Sequence, residues 1–106
     1  MELKTISLPK LNNLSPTLES TALKLMEEAG ELAQAIGKFR GMNGESLSYT
    51  QAETIDMMAK ELLDVAQTAV SMMFVLEEEY DIDIDHEVQA HIEKLFKKGY
   101  LKQETA

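Results

Sequence analysis

Cysteine and tryptophan are both absent from this 106-residue chain, which also has few prolines and few histidines. Without cysteine, the chain can form no disulfide, no thiolate zinc site and no cysteine nucleophile. Basic residues are scarce as well, 10 against 19 acidic ones, so the formal net charge is −9. Because a surface of that sign disfavours nucleic acid and anionic membranes, we expect neither as a partner.

Long apolar runs are also missing. The most apolar stretch, residues 57–76, is interrupted by Asp64, Gln67, Thr68 and Ser71, and is therefore too polar to span a bilayer. The first residues lack the basic region and following apolar run of a signal peptide, so we expect none. Together with the absence of cysteine, these features predict a cytoplasmic protein.

Helical periodicity is the strongest positive feature, and the length of residues 1–106 fits a single domain. Pro9 and Asn12-Asn13 break regular structure, so residues 1–14 are predicted to be a lead-in segment. Three helices are predicted after it, over residues 15–40, 50–79 and 85–98.

Capping patterns set the predicted helix starts. Ser15 followed by Pro16 is typical of an N-cap and a first helical position. Thr50 opens a capping-box pattern with the glutamate three residues later. We expect Asp83 or Asp85 to cap the third helix, and a turn-rich loop to connect the first two.

Apolar residues predict how the helices pack. In the first helix they recur every three or four positions as a continuous seam: Leu18, Ala22, Leu25, Ala29, Leu32, Ile36 and Phe39. The second helix is apolar over most of its circumference, which is typical of a central, packed helix. We therefore predict an all-α, antiparallel helical bundle of two long helices plus a packed third, completed by oligomerisation as a homodimer or homotetramer.

Two acidic pairs interrupt these apolar surfaces: Glu28 with Glu31, and Glu61 with Asp64. Their i,i+3 spacing places both carboxylates of a pair on one helix face. A single such pair is usually a solvated face, but two pairs beside apolar stripes on adjacent helices favour a shared site. Because unpaired charge is costly out of water, and cysteine is absent, we expect an oxygen-ligand site for Mg²⁺, or alternatively Mn²⁺.

The pairs lie within two longer segments, Glu27-Glu28-Ala29-Gly30-Glu31-Leu32 and Glu61-Leu62-Leu63-Asp64. Together, these segments resemble the Glu-Glu-x-x-Glu … Glu-x-x-Asp signature of the MazG-like all-α nucleoside triphosphate pyrophosphohydrolases, and the similarity spans about residues 18–76. The resemblance implies an oligomeric, Mg²⁺-dependent hydrolase that releases a nucleoside monophosphate and pyrophosphate, with a role in nucleotide-pool housecleaning. It implies four metal ligands: Glu28, Glu31, Glu61 and Asp64. The superfamily includes dUTPases, dCTP pyrophosphatases and phosphoribosyl-ATP pyrophosphohydrolases, and the motif does not choose among them.

Further residues are candidates for catalysis and phosphate binding. Glu27 or Glu28 is the candidate general base that would activate a water molecule. Lys24 and Lys38 lie on the same side of the first helix as Glu31, where they could contact phosphate oxygens or balance the glutamates. We expect them to be substrate-binding residues, with charge balance as the alternative.

Two more substrate-binding candidates follow from position. Arg40 lies at the end of the first helix and could reach phosphate from the loop side. Thr68 lies one turn beyond Asp64 and could bond either to the substrate or, as is common for helical threonine, to its own backbone.

Two other functions compete with the hydrolase. One is a ferritin-like metal-binding bundle, although neither His86 nor His91 forms the Glu-x-x-His pairing of such bundles. The other is a non-catalytic helical regulatory or interaction module that keeps the fold without the activity.

Overall fold

The structure is a computed structural model that describes residues 1–41 and 50–104. The described residues form three helices and no strand: α1 (Leu18–Arg40), α2 (Gln51–Tyr80) and α3 (Ile84–Lys97). The all-α prediction is confirmed, and the segment before α1 has no helix. The predicted turn-rich loop falls largely on residues 42–49, which lie outside the described residues.

The start of α1 differs from the prediction, because its N-cap is Thr17 rather than Ser15. The Thr17 hydroxyl accepts a hydrogen bond from the Ser20 amide at 3.0 Å, and the Ser20 hydroxyl accepts one from the Thr17 amide at 2.8 Å. This reciprocal capping box satisfies the amides of Thr17 and Ser20 and places the helix N-cap two residues later than predicted.

The other helix ends agree with their sequence signals. Thr50 caps α2 and Asp83 caps α3, and each side chain accepts a hydrogen bond of 3.1 Å from the amide three residues on. Gly41 ends α1 with a φ of 67°, and Gly99 follows α3 with a φ of 80°. Left-handed backbone of this kind favours glycine, which explains where both helices stop.

Helices α1 and α2 pack against each other as an antiparallel hairpin, whereas α3 makes at most marginal contact with either. No residue of α3 is buried, and Val88 on its apolar side is 45% exposed. The prediction that a third helix packs onto the hairpin is therefore wrong within one protomer.

The face of α1 that meets α2 also differs from the predicted seam. Ala22, Ala29 and Ile36 of that seam are exposed, while Thr21 and Glu28 are buried. The buried residues of α2 include polar ones too: Thr54, Thr68 and Ser71. Helix α1 is thus rotated so that each of the two helices presents a partly polar stripe to the other. Part of the apolar surface of α1 points away from α2.

One protomer has very little apolar core. Ala35 and Val75 are the buried apolar side chains among the described residues. The radius of gyration is 17.4 Å, compared with about 13 Å for a compact domain of this length. Within the described ranges, no helix is both long and apolar enough to cross a membrane.

Candidate functional site

Three carboxylates meet where α1 and α2 pack. Glu28 and Glu31 project from α1 and Glu61 from α2, and one oxygen from each lies within 4.8 Å of the other two. The i,i+3 spacing on α1 places its two glutamates on one face, and the antiparallel hairpin brings the third opposite them. We call these three residues the acidic cluster.

Burial makes this cluster chemically unusual. Glu28 is only 6% exposed, and Glu31 and Glu61 are half-buried. The Oε2 atoms of Glu28 and Glu61 are buried and have no hydrogen-bond partner. Because an unsatisfied buried carboxylate oxygen is costly, the cluster would be stabilised by a cation between these atoms. An all-carboxylate donor set fits a hard divalent ion such as Mg²⁺.

One cation of the chain already lies beside the cluster. The Lys24 Nζ atom is 3.1 Å from Oε1 of Glu28 and 3.4 Å from Oε1 of Glu27. The hydrogen bond to Glu28, followed by the charge of Glu27, raises the pKa of Lys24. Glu28 is thus half-satisfied, since a lysine binds one of its oxygens while the other stays unpartnered.

The electrostatic cost of the cluster is visible at Glu31. Its pKa is raised, first by the negative charge of Glu28, then by partial loss of water, and then by Glu61. Crowded carboxylates disfavour each other's ionised forms, which is the physical cause of this upward shift. A bound divalent cation would act in the opposite direction.

A cavity of about 420 Å³ opens beside the cluster, between the hairpin and the segment before α1. Glu28, Lys24 and Asp64 lie at its charged end, and Leu11 and Leu14 line its apolar part. We call it the lead-in cavity. Because Glu28 belongs both to the cavity and to the acidic cluster, a ligand in the cavity could reach the cluster directly.

Asp64 lies in this cavity wall and outside the group of three carboxylates. It is exposed, one turn beyond Glu61 on α2, and shares the lead-in cavity with Glu28. The structure therefore brings together three of the four predicted ligands and places the fourth beside them.

Comparison with known protein families decides the assignment. The model of the MazG nucleotide pyrophosphohydrolase domain matches residues 16–99, which include all three helices and all four predicted ligands. The chain belongs to the MazG family. No curated protein and no solved structure gives a significant match to it.

The predicted substrate-binding residues of this MazG domain fall at three places, and Lys24 and Thr68 share the first of them, the lead-in cavity. Lys38 lines a second cavity, of about 330 Å³, together with Glu31 and Glu61. Arg40 stacks over the Phe39 ring, with its guanidinium carbon 4.9 Å from the ring centre. Arg40 is nine residues beyond Glu31, or about 13.5 Å along the helix axis, so of the two it is the more remote from the cluster.

Thr68 lines the lead-in cavity, and its hydroxyl donates to the Asp64 carbonyl at 3.0 Å. Thr68 thus bonds to its own helix backbone, which is the alternative to substrate contact that its position in the sequence left open. Glu27, the other candidate base, is exposed and pairs with Lys24. Its carboxylate lies outside the group of three.

Two features beside the acidic cluster were not among the predicted site residues. Leu11 and Leu14 of the lead-in segment were not predicted to belong to a site, yet they line the larger cavity. Ser71 was noted only as an interruption of an apolar run, yet it is 6% exposed and lines the same cavity. A signal for Ser71 was available, because it lies seven residues after Asp64 and hence on the same helix face.

Proposed function

We propose that this MazG protein hydrolyses a nucleoside triphosphate to a nucleoside monophosphate and pyrophosphate, using Mg²⁺ held by the acidic cluster. The observation that carries the proposal is the pair of buried, unpartnered carboxylate oxygens on Glu28 and Glu61. They come from opposite helices and lie within the range matched by the family model. A stable fold has no need of such atoms, whereas a metal-binding site does.

Glu28, Glu31 and Glu61 are the proposed metal ligands, and Asp64, exposed beside Glu28 on the same cavity, is the fourth. When bound, Mg²⁺ supplies positive charge that neutralises the triphosphate and polarises the phosphorus under attack. Mn²⁺ prefers similar oxygen ligands and is expected to substitute.

The protein's own groups orient the substrate and hold the proton. Glu28 or the adjacent Glu27 is the proposed general base that takes a proton from the attacking water. Lys24, whose Nζ atom is 3.1 Å from Glu28, is the proposed contact to a phosphate oxygen on the side of the lead-in cavity. Lys38 lies on the side of the second cavity, beside Glu31 and Glu61. Thr68 and Arg40 are secondary candidates for substrate contact.

We further propose that the active form is a homodimer or homotetramer. Large apolar side chains remain exposed on both long helices, with Met26 75%, Leu23 74% and Leu62 56% exposed. The extended protomer and the unpacked α3 leave apolar area that a second copy would bury at roughly 25 cal/mol per Å². The cellular role that fits such an enzyme is removal of unwanted nucleotides from the cytoplasmic pool.

Metal titration by calorimetry tests this proposal against its rivals. We expect wild-type protein to bind Mg²⁺ and Mn²⁺, with tighter binding when a nucleotide is present, because phosphate oxygens complete the coordination. Glu61→Gln should lose this binding. Glu77→Gln removes an exposed carboxylate from the same helix and should keep it.

The two rivals predict different titrations. A ferritin-like bundle would bind iron through histidine, whereas His86 and His91 are exposed on α3, away from the acidic cluster. A non-catalytic interaction module would show no metal binding that depends on Glu61. Either result would contradict the proposed hydrolase.

A further inference from the structure

The lead-in cavity has two chemically different ends. Its charged end carries Lys24, Glu28 and Asp64, and the remainder is lined by aliphatic side chains and hydroxyl groups. Pockets that bind small organic molecules combine apolar walls with a few placed polar groups in this way. The cavity is therefore suited to an amphiphilic ligand with an anionic end at the cluster.

The segment that closes this cavity is fixed to α2 at two points. The Gln67 side-chain amide donates to the Pro9 carbonyl at 2.8 Å, and Lys10 forms an ion pair with Glu78. Leu11 and Leu14, just beyond these contacts, are thereby held over the hairpin and line the cavity. The apolar wall is thus linked to α2 by one hydrogen bond and one surface ion pair.

Among the hydroxyls that α1 and α2 contribute to the cavity, one differs from the others. The hydroxyls of Ser20, Thr21 and Thr68 each donate to a backbone carbonyl, at 3.3, 2.7 and 3.0 Å. The Ser71 hydroxyl is buried, with the residue only 6% exposed, and has no hydrogen-bond partner. A buried polar atom without a partner is rare in a stable protein and indicates a ligand group that would satisfy it.

The order of residues along α2 gives the cavity a direction. Thr68 and Ser71 follow Asp64 by four and seven residues, which corresponds to rises of about 6 and 10.5 Å along the helix axis. All three line the cavity, so Ser71 lies at the end remote from the charged groups. A nucleotide whose phosphates lie at the cluster would extend its base toward Ser71.

We infer that the lead-in cavity holds the nucleoside part of the substrate and that the Ser71 hydroxyl hydrogen-bonds the edge of the base, making Ser71 a specificity-determining residue. The inference rests on the proposed function for the position of the phosphates. A hydroxyl both donates and accepts, so it favours whichever base presents a complementary atom at this position. An alanine at this position would form no hydrogen bond with that base.

Binding of nucleoside 5′-monophosphates to Ser71→Ala tests this inference. The full-length wild-type and variant proteins are titrated by calorimetry with AMP, GMP, CMP, UMP and dTMP. We expect the variant to bind the preferred monophosphate about fivefold more weakly, the ratio equivalent to one neutral hydrogen bond of about 1 kcal/mol. Affinity for the least-favoured base should change by less than twofold.

Thermal unfolding separates recognition from a structural role. Since Ser71→Ala deletes an unpartnered buried hydroxyl, its melting temperature should equal or exceed that of wild type. Thr54→Ala is the matched control: Thr54 is buried on the same helix, and its hydroxyl donates to the Gln51 carbonyl at 2.9 Å. This control should lose stability and keep base selectivity. An equal loss for all bases, unchanged selectivity, or a lower melting temperature for Ser71→Ala would overturn the inference.

Inorganic tripolyphosphate distinguishes this inference from the function on which it rests. If wild type binds tripolyphosphate with Mg²⁺ but no monophosphate, the nucleoside assignment fails and the metal site stands. If monophosphates bind with Ser71-dependent selectivity but no triphosphate is hydrolysed, the proposed reaction fails and the cavity assignment stands.

Discussion

Glu61→Gln should stabilise the metal-free protein and destroy its function. The substitution keeps the shape of the side chain while removing one of three negative charges that lie within 4.8 Å of one another. It also replaces a carboxylate oxygen that is buried without a partner by a group that can include an N–H donor. Repulsion within the metal-free cluster should therefore fall.

The magnitude follows from the distance. Two unit charges 4.8 Å apart repel by about 0.9 kcal/mol in water and by about 3.5 kcal/mol at an effective dielectric constant of 20. Glu61 repels two neighbours, but the nearby Lys24 and dissolved salt both weaken the effect. We expect a gain of about 1–3 kcal/mol in the free energy of unfolding without metal.

In saturating Mg²⁺, wild type should instead be more stable than Glu61→Gln. A ligand at 100 times its dissociation constant stabilises a native protein by about 2.7 kcal/mol, and Glu61→Gln should lose most of that gain. Thermal unfolding in chelator measures the stability of the metal-free protein, and thermal unfolding in saturating Mg²⁺ measures that of the metal-bound protein. Glu77→Gln, at an exposed position on the same helix, is the control. The reasoning is refuted if the variant is less stable than wild type in chelator, or if Mg²⁺ stabilises both proteins equally.

Three further predictions concern pH, the lysine and assembly. The pKa of Glu31 is raised above its ordinary value of 4.5, so its contribution to the stability of the metal-free protein should be fully present below pH 4.5 and be lost as pH rises through the raised pKa. Glu31→Gln should remove this contribution, which pH-resolved unfolding of the two proteins measures. Lys24→Gln removes the ion-pair partner of Glu28, so it should lower the free energy of unfolding of the metal-free protein. Because Lys24 is a proposed phosphate contact, the same substitution should raise KM more than it lowers kcat. Sedimentation at micromolar concentration should give a multiple of the 11.9 kDa chain, and Met26→Glu, at a position 75% exposed, should shift it toward monomer. A fully active 12 kDa species would contradict the proposed assembly.

Features encoded by neighbouring residues were predictable from the sequence. Thr50 and Asp83 cap their helices through amides three residues away, so the signal and the contact lie in the same turn. The i,i+3 spacing of Glu28 and Glu31 likewise fixes their common face without reference to any other helix. Once the two long helices are assumed to form an antiparallel hairpin, the all-α fold and the approach of Glu61 to Glu28 and Glu31 also follow from the sequence.

Features that depend on distant contacts were not predictable. The wall of the lead-in cavity relies on the bond between Gln67 and Pro9, 58 residues apart, and no local pattern indicates such a pair. A broad apolar seam on α1 does not specify which part meets α2, so the inward rotation of Thr21 and Glu28 was missed. The marginal contact of α3 with the hairpin was missed for the same reason. The amphipathic pattern of a helix shows that it needs a packing partner but does not show which one.

Analysis of the reaction products is the most direct test of the proposed hydrolysis. Wild-type protein is incubated with Mg²⁺ and each of the ribo- and deoxyribonucleoside triphosphates, and the products are separated by ion-exchange chromatography. We expect equal amounts of nucleoside monophosphate and pyrophosphate from at least one triphosphate, and neither product with chelator or with Glu61→Gln. Release of nucleoside diphosphate and inorganic phosphate, turnover that persists in Glu61→Gln, or no turnover of any triphosphate would contradict it.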